Sequence, residues 1–297
     1  MSRGVGRSPA PTSGDAERTQ LAQAAGSLCG PADRTGVVDR LLAEGVQSRV
    51  WRVVTSGPDG CRNHAVKWFR PGYRAGDSVA AEYAALVGLD RALCELGTET
   101  YRVRCPQPVR RWDWGYAMSA VSGCRLDRAL ARRRSPADEE RLLVRDLVAG
   151  LTAFHAAHGG PYGDFHAGNV LLGADRAVYL IDPAPANPAF FTWPAEATPP
   201  PLAVDLAYWT FSAAVRAPRH PRTAAAALRL AGALRDAAVH PAGGRRLAAE
   251  IDRCLADYWV RLARQGLRQH AVAALARRLR PADGRPDRGG EDDRGRR

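Results

Sequence analysis

Residues 162–184 read YGDFHAGNVLLGADRAVYLIDPA, and this order of residue types decides how the rest of the chain is read. Asp164 and Asn169 stand five apart in a loop that runs into the apolar stretch NVLLG. A second apolar stretch, AVYLID, ends in Asp182, thirteen residues after Asn169. Two short apolar runs so closely spaced predict a small hairpin, which brings two carboxylates and an amide to adjacent strand ends. Hard oxygen ligands of this kind suit Mg²⁺, which usually keeps substrate phosphates in its shell.

Upstream, residues 64–70 read HAVKWFR, and Lys67 is the only lysine among 43 basic residues. Arginine and lysine solvate a surface equally well. A position that alone keeps lysine needs a compact ammonium on a flexible stem rather than a planar fork. The β-branched and aromatic residues around it, bounded by turn signals, predict a strand.

From these two segments the pattern extends outward. VVDRLLAEG and RVWRVVTSG predict two strands joined by a short loop, with HAVKWFR as the third. The stretch DSVAAEYAALVGLDRALCELG predicts a helix, capped by Asp77 or Ser78 and stopped at Gly97. PVRRWDWGYAMSAV predicts a hairpin. After Gly123 the character changes. SPADEERLLVRDLVAGLTAFHAAH opens with a Ser-Pro start signal and carries apolar residues at helical spacing. PAPANPAFFTWPAEATPPPLAV is Pro-rich and irregular, and helices follow it. Residues 1–30, rich in Gly, Ser, Pro and Ala, and the tail 281–297 lack periodicity and are expected to be disordered.

The spacing of Asp164, Asn169 and Asp182, with Lys67 upstream, resembles the protein-kinase-like pattern of a catalytic-loop Asp, an Asn five on and a metal-binding Asp. GDFHAGN is similar to the G-D-x-H-x-x-N loop of the aminoglycoside phosphotransferase-like and RIO-like branches, and IDP to their variant of DFG. The resemblance spans residues 35–215 and implies an α+β, bilobal protein-kinase-like fold. A small strand-rich N-lobe would occupy 35–121 and a larger helical C-lobe, with the catalytic loop, 122–280.

The resemblance also implies roles. LLAEGVQSRVWRV would cover the nucleotide, with Gly45 allowing the bend and Ser48 near the phosphates. Lys67 would reach the α- and β-phosphates of ATP, and Glu82 would hold it by an ion pair, with Glu95 the alternative partner. Backbone groups at Ser119 to Val121 would meet adenine. Asn169 and Asp182 would hold two Mg²⁺ ions, Asp164 would act on the acceptor hydroxyl, and Asp205 at a helix start would brace the loop. His166 is expected to structure the loop through a hydrogen bond, and His155 and His158 to be structural. Phe190, Phe191 and Trp193 either line a substrate site or pack.

The chain departs from the protein-kinase pattern in ways that favour the small-molecule branch. Tyr162 stands where a His precedes Gly-Asp, which removes the imidazole's support. Gly163 replaces an Arg that docks a phosphorylated activation loop, DPA replaces DFG, and no A-P-E follows. The implied activity is transfer of the ATP γ-phosphate to a hydroxyl of a small molecule: an antibiotic, natural product, sugar or nucleoside-like metabolite. The alternative is an atypical RIO-like serine/threonine protein kinase.

Composition narrows the partners. Hydrophobic content of 45% and charged content of 25% fit a soluble globular protein, and no apolar run is long enough for a membrane span. Six scattered cysteines form no CxxC pair, and together with an N-terminus lacking an apolar signal segment they point to a cytoplasmic protein. The net charge of +12 comes without a nucleic-acid-binding motif, which argues against a nucleic-acid partner. Segment 206–280 is rich in arginine, its acids being Asp236, Glu250, Asp252 and Asp257. That balance argues against a polycationic acceptor and leaves a neutral or anionic one.

Overall fold

The computed structural model describes residues 13–31, 35–73, 78–98, 100–132, 137–173, 176–184, 198–240 and 244–264. The three predicted strands form a meander of β1 (Thr35–Glu44), β2 (Ser48–Gly57) and β3 (Gly60–Phe69). The β2–β3 turn is Pro58-Asp59, closed by a Gly57–Gly60 pair, and Gly60 has a φ of 102°. Pro presets the first turn residue, and glycine meets the left-handed backbone without Cβ strain. Helix α2 (Ser78–Cys94) follows, then β4 (Arg102–Arg104) and the predicted hairpin of β5 (Pro108–Trp112) and β6 (Gly115–Ser119). The first sheet has the order β1-β2-β3-β6-β5 and is antiparallel throughout.

Beyond β6 the chain turns helical. Strand β7 (Cys124–Arg125) leads into α3 (Leu126–Arg132) and α4 (Ala137–His158). Strands β8 (Val170–Leu172) and β9 (Ala177–Leu180) make the small hairpin, and α5 (Pro201–Arg216), α6 (Pro221–Val239) and α7 (Gly244–Arg264) complete the described chain. The layout is α+β with a strand-rich first part and a helical second part. Helix α5 is apolar on nearly all sides, with Ala203, Val204, Leu206, Ala207, Trp209 and Phe211 buried, as a core helix must be. The second sheet has the order β4-β9-β8-β7. Its β4 comes from the first part and pairs with β9 in parallel.

Within the stretch 1–30 expected to be disordered, residues 1–12 lie outside the described residues, and Ser13–Leu28 instead form α1, a helix laid across the first sheet. Leu21, Ala24, Ala25 and Leu28 recur at helical spacing, a stripe hidden in a Gly/Ser/Ala-rich composition because two of its four members are alanine. Small residues let the helix lie close to the strands. A Cβ at Gly36 on β1 would stand 2.2 Å from the Ala25 carbonyl oxygen, so only glycine fits there. The buried Glu17 accepts hydrogen bonds from Arg49 (2.6 Å) and from Trp51 Nε1 (2.9 Å), and Gln20 accepts one from Trp68 Nε1 (2.8 Å). The expected disordered tail 281–297 lies outside the described residues.

Side chains alternate along β3. Val66 and Trp68 face α1, in a cluster with Val53, Trp114 and Ala117. Ala65 and Phe69 face α2, in the main core. Lys67, between them, therefore points to the α2 side, while α1 clamps the same strand from behind. Glu17→Ala removes the acceptor from the half-buried Trp51 indole N–H and the partner of Arg49, and is expected to cost about 1–2 kcal/mol of unfolding free energy. Urea denaturation checks this, and a change below about 0.5 kcal/mol would show that α1 is not held through Glu17.

Candidate active site

Lys67 is 4% exposed, and two carboxylates meet its ammonium: Glu82 Oε2 from α2 at 2.7 Å and Asp182 Oδ1 from the segment after β9. Burial alone would strip its proton. The charges of Asp182 and then Glu82 overcome that and hold the ammonium well above the ordinary lysine range. The rings of Phe69 and Tyr116 lie 5.0 Å and 5.9 Å from Nζ, adding their negative faces. Tyr116 also donates to Glu82 at 3.4 Å. Glu82 is thus the lysine's partner, and Glu95 is exposed. Asp182 has a φ of 65°, a left-handed backbone that turns the chain at this point.

Asp164 and Asn169 stand where the hairpin reading places them. Asn169 Nδ2 donates to both the backbone oxygen and Oδ2 of Asp164, each at 3.0 Å. The Asn169 carbonyl accepts from Ile181 N at 3.0 Å, which ties this loop to the segment carrying Asp182. With its amide nitrogen committed, Asn169 has its amide oxygen left for ligation. Burial, and next the charge of Asp182, raise the Asp164 carboxyl to about 6. At neutral pH it stays mainly ionised and is a better proton acceptor than an exposed aspartate.

The loop is held from below by Asp205, which is fully buried. Its carboxylate accepts from Tyr162 N (2.7 Å) and Gly163 N (2.9 Å) and lies 2.7 Å from His155 Nε2. Asp205 is not at a helix start as expected but one turn inside α5. Gly163 has a φ of 95°, which no β-carbon tolerates cheaply, so the glycine is required by the turn that presents Asp164. The support expected to be lost at Tyr162 is replaced: its hydroxyl donates to Ile181 O at 2.5 Å, beside Asp182. His166 structures the loop as expected, its Nδ1 accepting from Gly168 N at 2.9 Å. His158 stacks on Phe154 with ring centroids 4.9 Å apart.

The β1–β2 turn, expected to cover a nucleotide, closes with a Gly45 N to Ser48 O bond of 2.9 Å. Gly45 does not have a left-handed backbone, and a Cβ there would meet Ser48 O at an ordinary 3.5 Å. The bend itself therefore does not demand glycine, contrary to the reason expected for it. Arg49 and Arg70 both bond Glu44 beside this turn. Between the two parts, Ser119 N–H donates to Gln107 O (2.8 Å) and Ala120 N–H to Asn63 O (3.0 Å). Both donors are committed. A cavity of about 950 Å³, lined by Cys94, Arg102, Cys105 and Val121 among others, lies beside this linker and includes none of Lys67, Asp164 or Asp182. Phe190, Phe191 and Trp193 lie outside the described residues.

The sequence reading missed Tyr208 and Arg216. Tyr208 donates its hydroxyl to the Asp164 carboxylate, and Arg216 reaches His166. Both share a face of α5 with Asp205: three residues on, and three full turns on. Once Asp205 was assigned to the loop, that periodicity would have found them.

No family model and no curated protein matches the sequence. Among solved structures, the chain is similar to the kinase domain of Mycobacterium tuberculosis PknI, at 19% identity and a TM-score of 0.45, covering 74% of this chain and 96% of that one. A second structure of that domain shows 17% identity and a TM-score of 0.44, covering 70% and 98%. A mutant of it shows 19% identity and 0.44, covering 76% and 97%.

Asp205→Ala leaves two buried backbone N–H groups without an acceptor and is expected to cost about 2–4 kcal/mol. Asp205→Asn keeps one acceptor oxygen and should cost less. Thermal denaturation of both checks this, and a melting temperature unchanged in Asp205→Ala would show that the loop is held by other contacts.

Proposed function

We propose that the chain is an ATP-dependent phosphotransferase that moves the γ-phosphate to a hydroxyl of a small neutral or anionic molecule. The observation that carries this reading is the buried Lys67 ammonium held between Glu82 and Asp182, with Asp164 and Asn169 on the adjoining loop. An ion pair of Lys with a helix Glu, next to an aspartate that turns at a strand end, is the arrangement in which phosphates are aligned for transfer.

The donor set fits Mg²⁺. The Asp182 carboxylate is 38% exposed, the Asn169 amide oxygen is uncommitted, and both are hard ligands on segments joined by the Ile181–Asn169 bond. Mg²⁺ at these two residues supplies charge neutralisation of the β- and γ-phosphate oxygens. Lys67 holds the phosphate chain through its ammonium, and Glu82 keeps that ammonium in place. The Val121 N–H meets adenine. Asp164, turned by Asn169 and Tyr208, would accept the hydrogen bond of the acceptor hydroxyl and take its proton as the new P–O bond forms, while the bond from the γ-phosphorus to the bridging oxygen breaks and ADP leaves with that oxygen. On this reading the nucleotide sits between the strand-rich first part, which carries Lys67, and the helical second part, which carries Asp164 and Asp182.

The test is incubation with Mg²⁺, γ-labelled ATP and fractionated metabolites. Label should enter a small-molecule fraction, and Asp164→Asn should lower that transfer by about 10²–10⁴-fold while MgATP affinity stays within about threefold. Loss of MgATP binding in Asp164→Asn would contradict its assignment. Label confined to protein would replace the reading with a protein kinase. Lys67→Arg keeps the charge but puts a planar fork where a compact ammonium is boxed by two carboxylates and two rings. It is expected to lower transfer by about 10²-fold or more, and near-wild-type transfer would refute the need for lysine.

A further inference from the structure

His166 makes a hydrogen-bond surplus beside the candidate base. A neutral imidazole offers one acceptor nitrogen and one donor. The Gly168 N–H donates to Nδ1, which needs a lone pair there, so the ring is in its neutral form. Two donor groups compete for its single acceptor. Gly168 N–H donates to Nδ1 at 2.9 Å, and the Arg216 guanidinium lies 3.4 Å from Nδ1 and 3.1 Å from Nε2. With Nδ1 taken by the backbone, Nε2 carries the proton and faces Asp164 Oδ1 at 3.5 Å. The Arg216 guanidinium then confronts an N–H rather than a lone pair. Among the described residues no carboxylate lies within ion-pair distance of it.

A second guanidinium lies near the same loop. Arg125, at the end of β7, bonds Asp127 at 2.6 Å and 3.2 Å, which uses part of its fork and fixes its direction. A Cβ at Gly168 would stand 2.8 Å from both the Arg125 guanidinium and the His166 ring. Glycine there allows the two to converge over the loop. Donors thus outnumber acceptors at the His166 ring, and two positive forks lie near it. That composition is completed by an oxyanion with several lone pairs, which Arg forks bind in planar, charge-assisted geometry.

We propose that Arg216 and Arg125, both near His166 on the loop that carries Asp164, form a subsite for an anionic oxygen group, phosphate or carboxylate, carried by the acceptor. This rests on the phosphotransferase reading and deepens it: the acceptor is a hydroxyl compound with an anionic substituent, and a cationic one is rejected. The same chemistry could instead serve the γ-phosphate of the nucleotide, and the measurement separates the two.

Inorganic phosphate and the pair ribose and ribose 5-phosphate are titrated by calorimetry into the full chain, with and without saturating MgADP. The variants Arg216→Gln and Arg216→Lys are compared with wild type, each checked by thermal denaturation. Phosphate and ribose 5-phosphate should bind, and ribose should bind at least about tenfold more weakly. Arg216→Gln should weaken both anions by about tenfold or more, and Arg216→Lys should recover part of that loss. MgADP affinity should be the same in all three proteins. Equal binding of ribose and ribose 5-phosphate, or equal anion binding by wild type and Arg216→Gln, overturns the subsite. So does a loss in Arg216→Gln confined to a non-hydrolysable ATP analogue, which would assign the arginine to the γ-phosphate. If the protein binds no MgADP, the phosphotransferase reading fails by itself, while the anion titrations in the absence of nucleotide still decide the subsite. If Arg216→Gln does not fold, Arg125→Gln is read by the same titrations and the same criteria.

Discussion

One buried ammonium organises the molecule. Removing a lysine charge from water costs several kcal/mol, and the attraction of carboxylates offsets that only where they are close and well oriented. Lys67 meets this condition through two partners from different parts of the chain, Glu82 on α2 and Asp182 after β9. Strand β3, helix α2 and the small hairpin must all be in place before the charge is satisfied. Formation of the first sheet, docking of α2 and closure of the second part are thereby joined in one electrostatic requirement. The clamp of α1 on Trp68, the next residue along β3, fixes the strand from its other face.

A second requirement lies in the helical part. The loop carrying Asp164 turns through a left-handed Gly163, and its backbone donors would be unsatisfied if Asp205 were not beneath them. Helix α5 can carry a buried carboxylate because two backbone N–H groups and His155 surround it. The same helix face offers Tyr208 to Asp164 and Arg216 to His166. One rigid element thus helps to set the position and the charge surroundings of the candidate base.

Much of this was legible beforehand for a physical reason. The segments β2, β3, α2, α4 and the β8–β9 hairpin announce themselves through local periodicity and turn chemistry, which act over a few residues. Lys67 stood out because a basic side chain was kept compact where every other one became arginine. The pairing of Lys67 with Glu82 was expected from resemblance to a known pattern. The helix α1 was not legible because its stripe is half alanine, and composition outweighed period in the reading. Strands β4 and β7, of three and two residues, have no periodicity to show. They exist because a partner strand reaches them, β9 for the one and β8 for the other.

By itself the sequence determined the order of the longer strands and helices after residue 35, singled out Lys67, Asp164, Asn169 and Asp182 as candidates, and carried the arginine excess of the second part. Each of these is a property of residue type and spacing. Only the tertiary structure decided that Glu82 rather than Glu95 meets the lysine, that Tyr162 replaces a missing imidazole by bonding Ile181, and that Arg125 and Arg216 converge on one histidine. Those depend on contacts between segments far apart in the chain. Burial, not spacing, determines which charges and donors must find one another there.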